Sequence, residues 1–227
     1  MTPHAHHAIQ LSLALSGTLR LRSDPEGEWA DYFGALIRPH HRHQFDGCGE
    51  SVAQIFVEPE TLIGRALLQR HGGAAIARVP DEVVEQLVQP LRAEYAADAG
   101  NDRLLAASRR AIELLAGDPC ASSALDPRIT RAIEHVRVRI GEPISLTEAA
   151  AVAHLSPSRF RHLFAEQTGM AFRPYLLWVR VESAVAAAMG GQSWTEAAQN
   201  WGFADSAHLS RTCRRMFGLA PTMLVRE

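Results

Sequence analysis

SLTEAA occupies residues 145–150 and SWTEAA residues 193–198. In each copy a Ser stands three residues ahead of a Glu, Ser145 with Glu148 and Ser193 with Glu196, which is the capping-box spacing that opens a helix. Sliding one copy by 48 positions lays Thr147, Glu148, Ala149 and Ala150 on Thr195, Glu196, Ala197 and Ala198. The match continues at an offset of 49, pairing Phe160 with Leu209, Phe164 with Cys213 and Gly169 with Gly218. One extra residue therefore sits in the turn of the second copy.

Working outward, each turn leads into a second helix start. Ser156 followed by Pro157 is an N-cap with Pro at the first helical position, and Asp205 can cap the other copy. In the first copy Phe160, Leu163 and Phe164 recur at helical spacing and face a core, which leaves Ser158, Arg161, His162 and Glu166 outside. In the second, Leu209, Cys213, Met216 and Phe217 lie inward and Ser206, Ser210, Arg211, Arg214 and Arg215 outward. Each copy is helix, tight turn, helix. A short second helix with an Arg-bearing outer face fits a DNA major groove, roughly 12 Å wide.

The stretch LTEAAAVAHLSPSRFRHLFAEQTGMAFRPYLLWVRVESAVAAAM, followed by SWTEAAQNWGFADSAHLSRTCRRMFGLAPTML, resembles the DNA-binding domain of AraC/XylS-type transcription regulators over about 100 residues. The most specific elements are LSPSRFRHLF, TGM, WGFADSAHLSR and the closing FGLAP. The resemblance implies a long helix, roughly Arg173 to Met189, joining two helix-turn-helix units whose recognition helices enter successive major grooves about 34 Å apart. Carried over position by position, the base-facing places fall on Ser158, Arg161 and His162 in the first unit and on Ser206, Ala207 and Arg211 in the second. Arg159, His208, Arg214 and Arg215 are placed to hold phosphates. Two departures stand out: Cys213 replaces a large aromatic, and Ala207 offers no hydrogen bond. The implied partners are a double-stranded DNA operator, a second copy of the chain in a homodimer, RNA polymerase, and an effector, either a small molecule or a metal.

Composition agrees with a regulator of this kind. The chain has 227 residues, 47% of them hydrophobic and net charge −2. Residues 1–125 sum to −5 and residues 126–227 to +3, and every cation other than His is Arg. A weakly basic C-terminal half suits a polyanion, and Arg favours bidentate contacts. No apolar run approaches the ~20 residues that span a bilayer, and MTPHAHHAIQ lacks a secretory pattern, so a cytoplasmic protein with no membrane partner is expected. Cys48, Cys120 and Cys213 have no metal or redox spacing and read as buried thiols.

The N-terminal half has a different texture. IQLSLALSG, TLRLR, a DPEGE turn, WADYFGALIRP and SVAQIFVEP read as short strands. From Asp81 the helical period returns, with Val84, Leu87, Val88, Leu91 and Tyr95 as one stripe and Leu104, Leu105, Ser108, Ile112 and Leu115 as another. Such stripes can pack on the barrel or pair two protomers; with so small a sheet to cover both, residues 81–117 are a candidate homodimer interface.

In the opening strand His4, His6 and Gln10 share one face, and Ile9, Leu11, Leu13 and Leu15 the other. His4, His6, Gln10 and Gly17 are similar in spacing to the first motif of cupin barrels, and Pro39 followed by His40, His41 and His43 supplies the later histidine. That resemblance implies a small cupin-like β-barrel as sensor, with His4, His6, Gln10, His41 and His43 as candidate effector or metal ligands. Three converging imidazoles would suit a divalent late first-row transition metal.

The expected fold class is α+β: residues 1–72 a cupin-like sensor, 80–120 a helical dimerisation segment, and 127–227 an all-α DNA-binding domain. Two other classes of function compete with a regulator. A cupin metalloenzyme with a helical appendage needs a catalytic acid, and Gln10 stands where that acid would be. A DNA-repair alkyl acceptor needs a cysteine in a zinc cluster, and none is spaced for one.

Overall fold

A computed structural model describes residues 2–23, 27–98, 100–118 and 124–221. The chain forms two compact units, Met1–Ala124 and Leu125–Glu227. The fold is α+β, with β-sheets followed by helices in the first unit and helices alone among the described residues of the second.

The first unit has two sheets. Strands β1 (Ile9–Ala14), β4 (Gly34–Ile37), β6 (Val52–Val57) and β7 (Ile76–Arg78) make a four-stranded sheet in the order β6-β1-β4-β7, and β2 (Leu19–Arg22), β3 (Ala30–Tyr32) and β5 (Gln44–Asp46) a three-stranded one in the order β3-β2-β5. Of the DPEGE turn, residues 24–28, the first three lie outside the described residues. β5 and β7, three residues each at sheet edges, are too short to show a period and were invisible to pattern reading.

β1 is the centre of the unit. It pairs antiparallel with β4 and with β6, Leu11 facing Leu36 and Ile55, and all six of its residues are buried. Its two faces serve two cores. Ile9, Leu11, Leu13 and Leu15 join a cluster with Leu67, Val84, Leu87, Val88, Leu91 and Leu115. Ala14 joins Leu19, Leu21, Ala35, Ile37 and Phe45. At ~1.5–3 kcal/mol for each large side chain removed from water, this doubly buried strand anchors the unit.

Three helices belong to the first core: α1 (Leu62–His71), α2 (Asp81–Ala96) and α3 (Asn101–Ala116). α1 was not expected. Its signals are Thr61, whose Oγ1 accepts from Gly64 N at 3.0 Å, and Arg70 and His71 in the last turn. The α2 stripe forms as read, except that Tyr95 is exposed. On α3 the buried face is Ala111, Leu115 and Ala116, whereas Leu105 is 59% exposed. Ala111, Leu115 and Ala116 join the same cluster as the α2 stripe. The expectation that the α2 stripe needs a second protomer is corrected here: Leu87 and Leu91 are already covered by the chain's own sheet.

The second unit is built from α4 (Pro127–Val138), α5 (Leu146–Val152), α6 (Pro157–Thr168), α7 (Phe172–Met189), α8 (Trp194–Asn200) and α9 (Ser206–Phe217). The repeat is physical. α5 and α8 each end in a left-handed residue, His154 (φ 53°) and Gly202 (φ 78°), and Leu155 N and Phe203 N then donate back to Ala150 O and Ala198 O, both at 2.9 Å. Those pairs keep the offset of 48, and Ala204 is the inserted residue. α6 and α9 close alike, on Gly169 (φ 73°) and Gly218 (φ 71°), where a residue with a Cβ would be strained.

α7 holds both halves. Phe172 and Tyr175 pack on Phe164 with ring centroids 5.3 and 5.1 Å apart, and Trp178 meets Phe217 of α9 at 5.5 Å. Cys213 is fully buried, and burial pushes its thiol up to about 11. Cys48, by contrast, is exposed, against expectation, because it sits in a turn at φ 55°. Cys120 lies outside the described residues.

Candidate nucleic-acid interface and a buried histidine cluster

The C-terminal site begins with caps. Ser145 Oγ accepts from Glu148 N at 3.0 Å and Ser193 Oγ from Glu196 N at 3.2 Å. Only the second copy completes the capping box, Glu196 Oε2 accepting from Ser193 N at 3.0 Å. In the first, Glu148 is drawn instead to His135 at 3.0 Å and to Arg139, which holds its carboxyl below the usual range. The recognition helices are capped by Ser156, which accepts from Arg159 N at 3.3 Å, and by Asp205, which accepts from His208 N at 2.6 Å.

The apolar faces of α6 and α9 point inward, Phe160, Leu163 and Phe164 on one and Leu209, Cys213 and Phe217 on the other. Outward on α6 stand Ser158, Arg159, Arg161 and His162, all exposed. On α9, Ala207, Arg211, Arg214 and Arg215 are exposed, and Ser206 and His208 half-buried. His208 rests edge-on against Phe203 at 5.3 Å, so part of its ring belongs to the core.

Some arginines of the second unit are paired within it; others, Arg131 and Arg173 among them, make no ion pair among the described residues. Arg128 is bound to Asp126, Arg137 to Glu182 and Arg139 to Glu142, while Arg180 donates to Ile140 O and Glu142 O. Arg159, Arg161, Arg211, Arg214 and Arg215 have no acidic partner among the described residues. These five guanidiniums lie on the second helix of one or other copy, where their unmet demand is for anions and hydrogen-bond acceptors.

The second cluster lies in the N-terminal unit. An isolated antiparallel bridge sets His4 opposite His43, His4 N donating to His43 O at 3.0 Å and His43 N to His4 O at 2.9 Å. Two residues along the extended chain, His6 falls on the same face as His4. One ring nitrogen of each of His4, His6 and His43 lies within 4.8 Å of those of the other two. All three side chains are buried, as are Gln10 and Ser12 beside them.

The polar bonds of these rings follow one rule. His4 Nδ1–H donates to Thr2 O, His6 Nδ1–H to Ala8 O and His43 Nδ1–H to His41 O, each at 2.9 Å. His4 and His43 therefore keep their lone pair on Nε2, whereas both nitrogens of His6 face acceptors, Ala8 O and Gln10 Oε1. Burial lowers all three pKa values, His6 to about 3 and His43 to about 4, so the imidazoles are neutral. Gln10 meets His6 Nε2 at 2.8 Å. There the ring nitrogen faces the amide oxygen Oε1, while the amide Nε2 donates to Ser12 Oγ at 2.8 Å. Nε2 of His43 is buried with no hydrogen-bond partner.

His41 does not join this group. His40, at φ 60°, turns toward His7 instead, whose Nδ1 lies 3.4 Å from it and whose Nε2 bonds the buried Glu60 at 2.9 Å. His7 and Glu60 were missed in the sequence; the only signal was the adjacent pair His6-His7, which a strand must split between two faces.

The comparisons with known proteins agree with this geometry. Residues 149–227 match a family model described as a helix-turn-helix domain. The HTH-type transcriptional regulator YpdC of Escherichia coli (strain K12) is 33% identical over 87 residues, 38% of this chain and 30% of its own length. LumQ of Photobacterium leiognathi is 30% identical over 89 residues, 39% of this chain and 36% of its own. The chain thus spans about a third of the curated relatives it matches. ToxT from Vibrio cholerae O395 shares the fold over 97% of this chain and 89% of its own, with a TM-score of 0.59 at 12% identity. An unsaturated fatty acid-bound wild-type ToxT from strain SCE256 of that organism aligns over 100% of this chain and 92% of its own, at TM-score 0.59 and 11% identity. By its capped double repeat, its joining helix and these matches, the C-terminal unit is a helix-turn-helix domain of the AraC/XylS type.

Proposed function

We propose that this protein is a sequence-specific DNA-binding transcription regulator whose N-terminal unit senses an effector. The observation that carries the reading is the set of uncompensated guanidiniums on the outer faces of α6 and α9. Arg161 and Arg211, near the N-terminal halves of their helices, each take O6 and N7 of a guanine, a pair worth ~1–3 kcal/mol of discrimination. Ser158, His162 and Ser206 offer shorter contacts, and Ala207 offers only a methyl group for thymine. Arg159, Arg214 and Arg215 hold phosphates, with His208 a weaker contact because of its packing on Phe203.

The wider reading includes a homodimer on a palindromic operator and contact with RNA polymerase. With Leu87 and Leu91 occupied inside the unit, pairing of protomers would use other surface, such as the exposed Leu105 and Leu114. The fatty-acid-bound relative of the same fold supports effector control in general terms.

Footprinting of the full chain on genomic fragments tests this. A protected pair of sites one helical turn apart is expected, with affinity falling steeply with salt as phosphate contacts release counterions. Absence of any sequence preference at low salt would overturn the assignment.

A further inference from the structure

We infer that His4, His6 and His43 form a binding site for one divalent late first-row transition ion of the zinc, nickel or cobalt kind, and that this ion is the effector. The second clause rests on the regulatory function proposed above; the first does not.

Three features of the cluster carry the inference. Its backbone is locked by the paired bonds between His4 and His43, so the convergence is built into the fold and not left to chance side-chain rotation. Each ring is held from behind by an Nδ1–H to carbonyl bond, the arrangement that fixes the tautomer and orientation of a ligating histidine. On His4 and His43 the lone pair is then confined to Nε2, and that of His43 is buried with no donor to meet it. A zinc–nitrogen bond is ~2.0–2.1 Å, so two imidazole nitrogens about one ion stand at most roughly 4.2 Å apart. A spread of no more than 4.8 Å closes to that by small ring movements.

The chemistry of the donors selects the ion. Three neutral nitrogens with no carboxylate suit zinc, nickel or cobalt and not calcium or magnesium, which demand oxygen. Gln10, on the same face, adds an amide beside His6. Among the described residues the buried acid is Glu60, which is bound to His7, so the ion is read as a signal and not as a catalyst.

The test uses the full chain made without an affinity tag, stripped with EDTA and dialysed separately against zinc, nickel and cobalt salts. One ion per chain is expected by elemental analysis, and cobalt should show the visible absorption of a nitrogen-rich site. His43→Ala and His6→Ala should each lower retention at least 10-fold, while His41→Ala and His40→Ala retain the ion. X-ray absorption on the loaded wild type guards against variants that fail to fold: imidazole scatterers support the site, and an all-oxygen shell overturns it. Failure of the wild type to retain any of the three ions overturns it too, as does unchanged retention in a folded His4→Ala, His43→Ala double variant. Operator binding is then compared with metal and with EDTA. A change of at least 10-fold, absent in His43→Ala, supports the effector role, and no change overturns that role while the site stands. Loss of DNA binding in every state would strike the regulator assignment and leave the metal result intact.

Discussion

The two units use nitrogen cations and bases in opposite ways. The N-terminal unit turns three imidazoles inward, desolvates them until they are neutral, and ties down one nitrogen of each. The C-terminal unit turns five guanidiniums outward and leaves them without counter-ions among the described residues. The contrast follows from the groups themselves. Arg remains charged in any protein environment, so it reads anions best at a wet surface. Imidazole loses its charge on burial at modest cost, and only the neutral ring is a ligand. One chain thereby carries a charged, salt-sensitive surface and a neutral, dry donor set on separate folding units.

The largest effect should show that the units are separable. Phe164→Ala removes the ring shared by Phe160, Phe172 and Tyr175, a loss of about 3–5 kcal/mol for a buried aromatic. DNA binding should disappear in gel-shift assays while metal retention persists; joint loss of both would break the comparison.

Acid should act first on the other unit. Above pH 6.5 His6 and His43 are uncharged whether folded or not and leave stability unaffected. Below 6.5 the unfolded chain takes up protons that the buried rings refuse until about 4 for His43 and about 3 for His6. Stability of the metal-free protein therefore falls across that window, by something on the order of 2 kcal/mol per ring at pH 5. Urea midpoints at pH 7 and pH 5 measure this, and His43→Gln should flatten the slope. Asp126 of the C-terminal unit, held at about 2 by Arg128, loses its contribution only from its ordinary value of 3.8 downward.

Next come the readers. Arg211→Ala and Arg161→Ala should each relax preference at one base position by ~1–3 kcal/mol, whereas Arg215→Ala weakens all sequences alike and lowers the salt slope by about one. Selection from a randomised operator pool decides it; if Arg211→Ala leaves every preference intact, the positions assigned to base reading are wrong.

The smallest effect compares the two repeats. Ser193→Ala breaks a complete capping box and should cost about 1 kcal/mol. Ser145→Ala breaks half of one, because Glu148 is held by His135 and Arg139, and should cost less. Thermal denaturation of the two variants gives the order.

What the sequence by itself determined is the second unit and the faces of its helices. Caps, a Gly stop and a 3.6-residue period are local signals, and their duplication left little choice of fold; α5, α6, α8 and α9 and the inward set Phe160, Phe164, Leu209 and Cys213 follow from them. In the first unit parity alone placed His4, His6 and Gln10 on one face, since a strand admits only two. The tertiary structure decided what parity could not: which of three nearby histidines crosses over to that face. The bridge between His4 and His43 chose His43, while the positive φ of His40 sent it to His7 and left His41 aside. It also decided that α2 is covered by its own sheet, and that α3 presents alanines inward and Leu105 outward. Those outcomes depend on contacts between residues far apart in the chain and on how closely two surfaces can approach, and neither is written in any local pattern.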